Sequence, residues 1–141
     1  MATFNIFYGF HEHLAEKVHN LGSDTLTIAL TNTSPASACN ASTAACVLEN
    51  VSEISYDNCS TRTLTVTSSA QTDGVYRLKA NDLTLTASGD VGPFRYVVLY
   101  NDSASNDEVI GYWDYGESIT LHDGETFLID FDGTNGVLSV V

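Results

Sequence analysis

From residue 4 to residue 21, apolar side chains recur at intervals of three and four: Phe4, Phe7, Phe10, Leu14, Val18 and Leu21. That spacing lines one face of a helix, so it predicts an α-helix over about 4–21. Thr3 is placed to cap its start, and Gly22 stands where a left-handed C-terminal cap is usual. Beyond Gly22 the period changes to two. Thr25 to Leu30 alternates cleanly, as a half-buried strand does. Thr63–Thr67, Leu83–Ala87, Ser118–Leu121, Phe127–Phe131 and Val137–Val141 alternate in the same way, and residues 74–79 and 51–56 do so more weakly. Arg95–Tyr100 and Val109–Tyr115 are continuously apolar or aromatic, the pattern of central strands covered on both faces.

Turn signals punctuate these runs: Asp73-Gly74, Ser88-Gly89-Asp90, Gly92-Pro93, Asp123-Gly124, Asp132-Gly133 and Asn135-Gly136. Asp-Gly and Asn-Gly supply the positive φ that tight hairpins require. Eight or nine short strands at this spacing predict a mainly β fold, a β-sandwich with the jelly roll as one form it can take, plus one N-terminal helix. Residues 32–50 have no period and are rich in Ser, Ala, Asn and Thr, which predicts an exposed loop. No repeat, linker or second domain is visible, so the expectation is one domain over 1–141.

Composition narrows the functional classes. The chain has 141 residues, 43% hydrophobic and only 16% charged. A domain of this size buries roughly 68–70% of its unfolded surface, so folding requires neither metal nor disulfide. Acidic residues outnumber basic ones 18 to 5, for a net charge of -13. Nucleic-acid binding needs clustered cations to displace counterions, and Lys17, Arg62, Arg77, Lys79 and Arg95 are scattered. An anionic membrane would repel the chain, and no apolar run is long enough to span one. Residues 1–21 lack the basic leader of a signal peptide. The sequons at Asn32, Asn40, Asn50, Asn58 and Asn101 then read as products of composition, and synthesis is expected in a cytoplasm.

Several groups carry potential chemistry. Cys39, Cys46 and Cys59 match no zinc spacing; they read as small buried side chains, or as a Cys39–Cys46 bridge that pins a loop. His11-Glu12-His13 lacks the H-E-x-x-H spacing of a zinc protease, and on a helix His11 and His13 point apart. His19 and His122 stand alone and read as surface or capping side chains. Asp130–Gly136 places oxygens at alternate positions, as a calcium loop does, but lacks the later bidentate Glu; a hairpin turn accounts for the same residues. Tyr96, Tyr100, Tyr112, Trp113 and Tyr115 crowd the two most apolar strands. They form either a core cluster or a platform for sugars. No catalytic motif, metal site or cofactor fingerprint is present in the sequence.

Four stretches resemble a family of small virion proteins of tailed bacteriophages, of the capsid decoration or cement type. They are Leu14–Thr33 (LAEKVHNLGSDTLTIALTNT), Gly92–Asp102 (GPFRYVVLYND) with Ile110–Gly116 (IGYWDYG), and Asp123–Leu138 (DGETFLIDFDGTNGVL). Residues 34–90 lie largely outside the resemblance, and the cysteine-bearing loop 37–50 departs from it. The resemblance implies a structural protein without catalytic activity or cofactor. It implies a place on the outer surface of the head, where the chain binds the major capsid protein and stabilises the shell. A homotrimer is expected, because three copies at a local three-fold bridge several capsid subunits with identical contacts. Phe4, Phe7, Tyr8 and Phe10 are the candidate partner-binding anchors. The alternatives are a tail or head–tail junction protein, a carbohydrate-binding module and, last, a small hydrolase.

Overall fold

The computed structural model describes residues 2–40 and 46–141. Among them the chain forms nine strands and little helix, in a sandwich-like arrangement of antiparallel sheets. The strands are β1 Phe4–Ile6, β2 Leu26–Thr31, β3 Val66–Thr72, β4 Val75–Ala80, β5 Leu83–Thr86, β6 Val91–Asn101, β7 Val109–Leu121, β8 Thr126–Ile129 and β9 Leu138–Val140. Helix α1 covers Tyr8–Ala15, and a short helix α2 covers Ala36–Cys39. No helix among the described residues is long and apolar enough to cross a membrane.

The central sheet runs β1-β7-β6-β2, with a three-stranded sheet β3-β4-β9 and a two-stranded sheet β5-β8 beside it. Side chains alternate across a strand, and here both faces of the central sheet are apolar. The front face carries Leu26, Ile28, Leu30, Val97, Leu99 and Ile110, which pack with Leu78 of β4, Leu85 of β5, Ile129 of β8 and Leu138 of β9 in one cluster. The back face carries Ala29, Val98, Tyr100 and Val109, covered by Phe7, Val51 and the cysteines Cys39 and Cys46. Those two cysteines form a disulfide, and Cys59 is free. A bulge where Leu99 pairs with Gly111 and Tyr100 with Val109 leaves Ile110 out of the ladder. Val109 then packs behind the sheet and Ile110 in front of it.

The N-terminal segment departs from the expected helix over 4–21. Residues 4–6 are a strand, pairing Phe4 with Trp113 and Ile6 with Gly111. Phe4 and Ile6 sit two apart and both pack on the front cluster. The same residues therefore satisfy a period of two, and the ladder with β7 selects it. Helix α1 ends early: Lys17 takes a left-handed φ of 69°. The Val18 N–H donates to the His13 carbonyl (2.8 Å) and the Lys17 N–H to that of Leu14 (3.4 Å), a Schellman stop built on lysine instead of glycine. The expected caps fall elsewhere. Thr3 precedes β1, and the Tyr8 N–H at the start of α1 donates to the Asn40 side chain.

Of the expected exposed loop 32–50, residues 41–45 lie outside the described residues. The remainder is not uniformly exposed. Cys39 and Cys46 are fully buried, and a 3₁₀ turn covers Leu48–Asn50. The runs 109–115 and 118–121 are one strand, β7, and residues 51–56 form no strand.

Segment 53–64 instead seals the outer edge of β2 without becoming a regular strand. The Ile54 N–H donates to the Leu30 carbonyl, the Ile28 N–H to that of Arg62, and the Leu64 N–H to that of Leu26. Two side chains complete the edge. The Leu30 N–H donates to the Tyr56 hydroxyl at 2.8 Å, and that hydroxyl donates to Glu53 at 2.7 Å. The Arg62 guanidinium donates to the Ile28 carbonyl and lies 3.5 Å over the Tyr56 ring. Burial pushes the Tyr56 phenol well above its ordinary pKa, so its O–H remains a donor. Tyr56→Phe strands a buried N–H, which costs about 1–3 kcal/mol. The expected outcome is a lower urea midpoint with an unchanged m-value.

Candidate functional site

The four N-terminal aromatics do not form one surface. Phe7 and Phe10 are fully buried. Phe7 stacks on Tyr112 behind the sheet with ring centres 5.2 Å apart, and Phe10 lies 5.4 Å from the His19 ring. Neither is available to a partner, so the expectation of anchors at these two positions is corrected. The change from strand to helix at Phe7 turns the stripe inward. Phe4 is half-buried against Trp113, with ring centres 4.5 Å apart, over Gly111, where any Cβ would collide with its ring. Tyr8 alone projects, 63% exposed.

The larger exposed apolar surface lies between β7 and β8. A groove of about 460 Å³ is lined by Ala2, Trp113, Tyr115, Phe127, Leu128 and Asp130, among others. Tyr115 is 48% exposed and Leu128 56%. Irregular pairing shapes one wall. Between the pairs Tyr96–Asp114 and Phe94–Ile119, β6 contributes only Arg95 while β7 contributes Tyr115, Gly116, Glu117 and Ser118. The surplus forms an exposed excursion pinned at both ends. Arg95 grips Asp114 with two hydrogen bonds of 2.8 and 3.0 Å. The Gly116 N–H donates to Asp114, and Ser118 donates to Asn32 at 2.6 Å. Gly116 adopts a φ of 99°, which a side chain would strain. The Arg95 fork, helped by the Gly116 N–H, holds the Asp114 carboxyl below its usual range. The excursion thus rests on a closed Arg95–Asp114 ion pair beside Tyr115.

The other wall is β8. Phe127 meets Phe94 and Tyr115 edge-on, each with ring centres 5.3 Å apart, and Ile129 is buried. Leu128 occupies the outward phase of the strand. Three consecutive apolar residues, Phe127-Leu128-Ile129, inside an otherwise alternating run were the sequence signal for this surface. The five aromatics expected to act together are divided by the sheet. Tyr112 packs behind it and meets Tyr96 edge-on, and Tyr100 is buried there, while Trp113 packs in front against Phe131. Only Trp113 and Tyr115 reach the groove.

His13 and His19 are buried, not solvated, with ring centres 5.9 Å apart. Asn101 joins His19 to the turn after α1. Its amide lies 3.0 Å from His19 Nδ1 and donates to Asp24 at 2.6 Å, and Asp24 also accepts from the Asn20 N–H. With Asn101 donating, His19 Nδ1 accepts and Nε2 carries the proton. Among the described residues neither His19 Nε2 nor His13 Nδ1 has a hydrogen-bond partner. Burial first, then the neighbouring His13, lower the His19 pKa, against opposing pulls from Glu108 and Asp24. His122 is exposed and pairs with Asp90.

At residues 130–136 the carboxylate of Asp132 is taken up by its own loop. It accepts from the N–H groups of Thr134 and Asn135 and from the Asn135 amide. Gly136, at φ 82°, returns an N–H to the Asp132 carbonyl. This is a turn. Among the described residues no three His, Cys, Asp or Glu side chains are grouped closely enough to hold a metal ion. Cys59 is half-buried, and burial raises its thiol pKa, which disfavours the thiolate.

Compared with family models, curated proteins and solved structures, the chain matches none.

Two measurements check the buried groups. Phe7→Ala opens a cavity behind the sheet and is expected to cost about 3–5 kcal/mol in chemical denaturation, the range of such core truncations. For His19, the unfolded side chain binds its proton at about 6.5, and the folded one only at lower pH. Between those values the unfolded state holds more protons, so stability is complete above about 6.5 and declines as the pH falls through it. The melting temperature is expected to fall from about pH 7.5 to 5.5, and to fall less in His19→Gln.

Proposed function

We propose that this chain is a structural protein of a tailed-phage particle that decorates the outer surface of the head and stabilises it. The observation that carries the reading is the pairing of a doubly covered sheet with an exposed apolar groove between β7 and β8. A cement protein needs a body that does not deform and an adhesive patch that excludes water. Buried apolar anchors within a polar rim supply most of the energy in such contacts. The sequence resemblance supports the assignment to phage particles. The net charge of -13 suits an outer position, away from packaged DNA, and favours a basic docking surface on the capsid.

In this reading Tyr115 and Leu128 take the anchoring role that the sequence pattern suggested for the N-terminal aromatics, and Tyr8 is a secondary contact. A homotrimer at a local three-fold remains the proposed assembly, with the major capsid protein as partner. The aromatic groove also supports a second reading, a carbohydrate-binding module, because Trp113 and Tyr115 line it beside Asp130.

The two readings separate in a co-sedimentation assay with heads assembled without this protein. Wild-type chain is expected to pellet with heads and to raise their resistance to heat. Leu128→Asp is expected to remain folded, since Leu128 is exposed, and to weaken binding by at least about tenfold, as loss of a central contact does. If Leu128→Asp and Tyr115→Ala bind heads as well as wild type does, the groove is not the contact surface. Glycan binding without head binding would favour the second reading.

A further inference from the structure

The groove has a free sheet edge as one of its walls, and the hydrogen bonds around it identify which backbone groups are free. The Ala87 N–H donates to the Glu125 carbonyl. In an antiparallel ladder hydrogen-bonded and non-bonded pairs alternate, so with Thr86 opposite Thr126 and Leu85 opposite Phe127 the bonded pairs include Phe127 and Ile129. Thr126 and Leu128 then direct their N–H and C=O groups away from β5. On the far edge of β5, Thr86 shows the same phase and is satisfied: its carbonyl accepts from the Ser60 N–H and its own N–H donates to the Ser60 hydroxyl. On the β8 side no strand, loop or side chain among the described residues takes the corresponding place. Proteins usually blunt such an edge with charge, proline or a covering loop. Here the outward residue is an exposed leucine.

We propose that this edge accepts an extended segment of a partner protein, which pairs with β8 as a third strand and fills the groove. The inference rests on the reading of the groove as the contact surface and names what enters it. Pairing with Leu128 fixes the side-chain pattern of the guest. Alternate guest residues fall on the inward phase, beside Phe127 and Tyr115, and must be apolar. Those between fall on the outward phase shared by Leu128 and Asp130, with Glu117 on the excursion opposite. Basic side chains suit that rim. The same carboxylates, together with the net charge of -13, oppose a second copy of this chain as guest. Main-chain hydrogen bonds then give the affinity, and the alternating pattern gives the specificity.

The test uses the full chain and the hexapeptide acetyl-Lys-Val-Lys-Val-Lys-Val-amide as probe. Controls are its Glu-for-Lys analogue, a version N-methylated on alternate residues to remove one edge of donors, and cellohexaose. Binding is read by amide chemical shifts and hydrogen exchange. The expected result is shifts on both walls, residues 113–117 and 126–130, with new exchange protection at the Thr126 and Leu128 amides. The N-methylated and acidic peptides should bind at least about tenfold more weakly. Protection absent at Thr126 and Leu128, equal binding of the N-methylated peptide, cellohexaose binding in place of the peptide, or self-association protecting the same amides would each overturn the inference. Head binding that still depends on Leu128 while the peptide fails removes only the strand-pairing inference. Head binding indifferent to Leu128 and Tyr115 removes the groove as contact surface.

Discussion

The pairing of β6 with β7 produces a central sheet whose two faces are both apolar, and that fact governs the rest of the chain. A sheet of this kind must be covered twice, because either face left in water forfeits roughly 25 cal/mol for each Å² of apolar surface exposed. The front receives the two smaller sheets, β3-β4-β9 and β5-β8, through Leu78, Leu138, Leu85 and Ile129. The back receives no sheet. Among the described residues it is covered by Phe7 at the start of α1, by Val51 and by the Cys39–Cys46 bridge, whose Cys39 ends α2. A disulfide restricts the unfolded chain and so favours the ordered form of its loop. Here it fastens the thinner of the two covers, where few backbone ladders help.

Double coverage also decides the fate of the N-terminal aromatics. A single helix over 4–21 would have placed its stripe on one face of the sheet only. The observed chain sends Phe4 and Ile6 to the front and Phe7 to the back, with the crossing at the edge of β7. Phe10 then returns to the front cluster from α1. One stretch of seven residues thus supplies both covers, so these side chains belong to the core and not to a partner.

What was legible in the sequence follows the same logic. Continuous apolar runs marked β6 and β7 as central, and Asp73-Gly74 marked the β3–β4 hairpin, because both signals are local; Asp123-Gly124 and the 132–136 turn instead link strands of different sheets. The stop at Lys17 was hidden, since a Schellman ending on lysine leaves no glycine to read. Segment 51–56 resembled a strand because its residues do serve a sheet edge. It does so with the Tyr56 hydroxyl and, further along, the Arg62 guanidinium, which periodicity does not encode. The buried partner of His19, Asn101, stands some eighty residues away in sequence, beyond any local signal. The groove was half legible: Leu128 breaks the alternation of its strand, whereas the excursion at 115–118 arises only from the unequal lengths of β6 and β7 between their pairs.

The edges of the fold make the strongest argument about how it is used. The outer edge of β2 is closed with unusual thoroughness: three backbone hydrogen bonds, a tyrosine hydroxyl and a guanidinium satisfy its outward groups. The far edge of β5 is closed by Ser60. A chain that covers two edges in this way, yet leaves an exposed leucine on a third, is not short of means to cover it. Unpaired backbone and exposed apolar surface each lower the solubility of a free protein. Their coincidence in one groove, rimmed by carboxylates that discourage self-pairing, is the combination expected of a surface kept open for a different chain. On a cement protein it would let the fold remain soluble until it meets the shell, and then become continuous with it through the main chain.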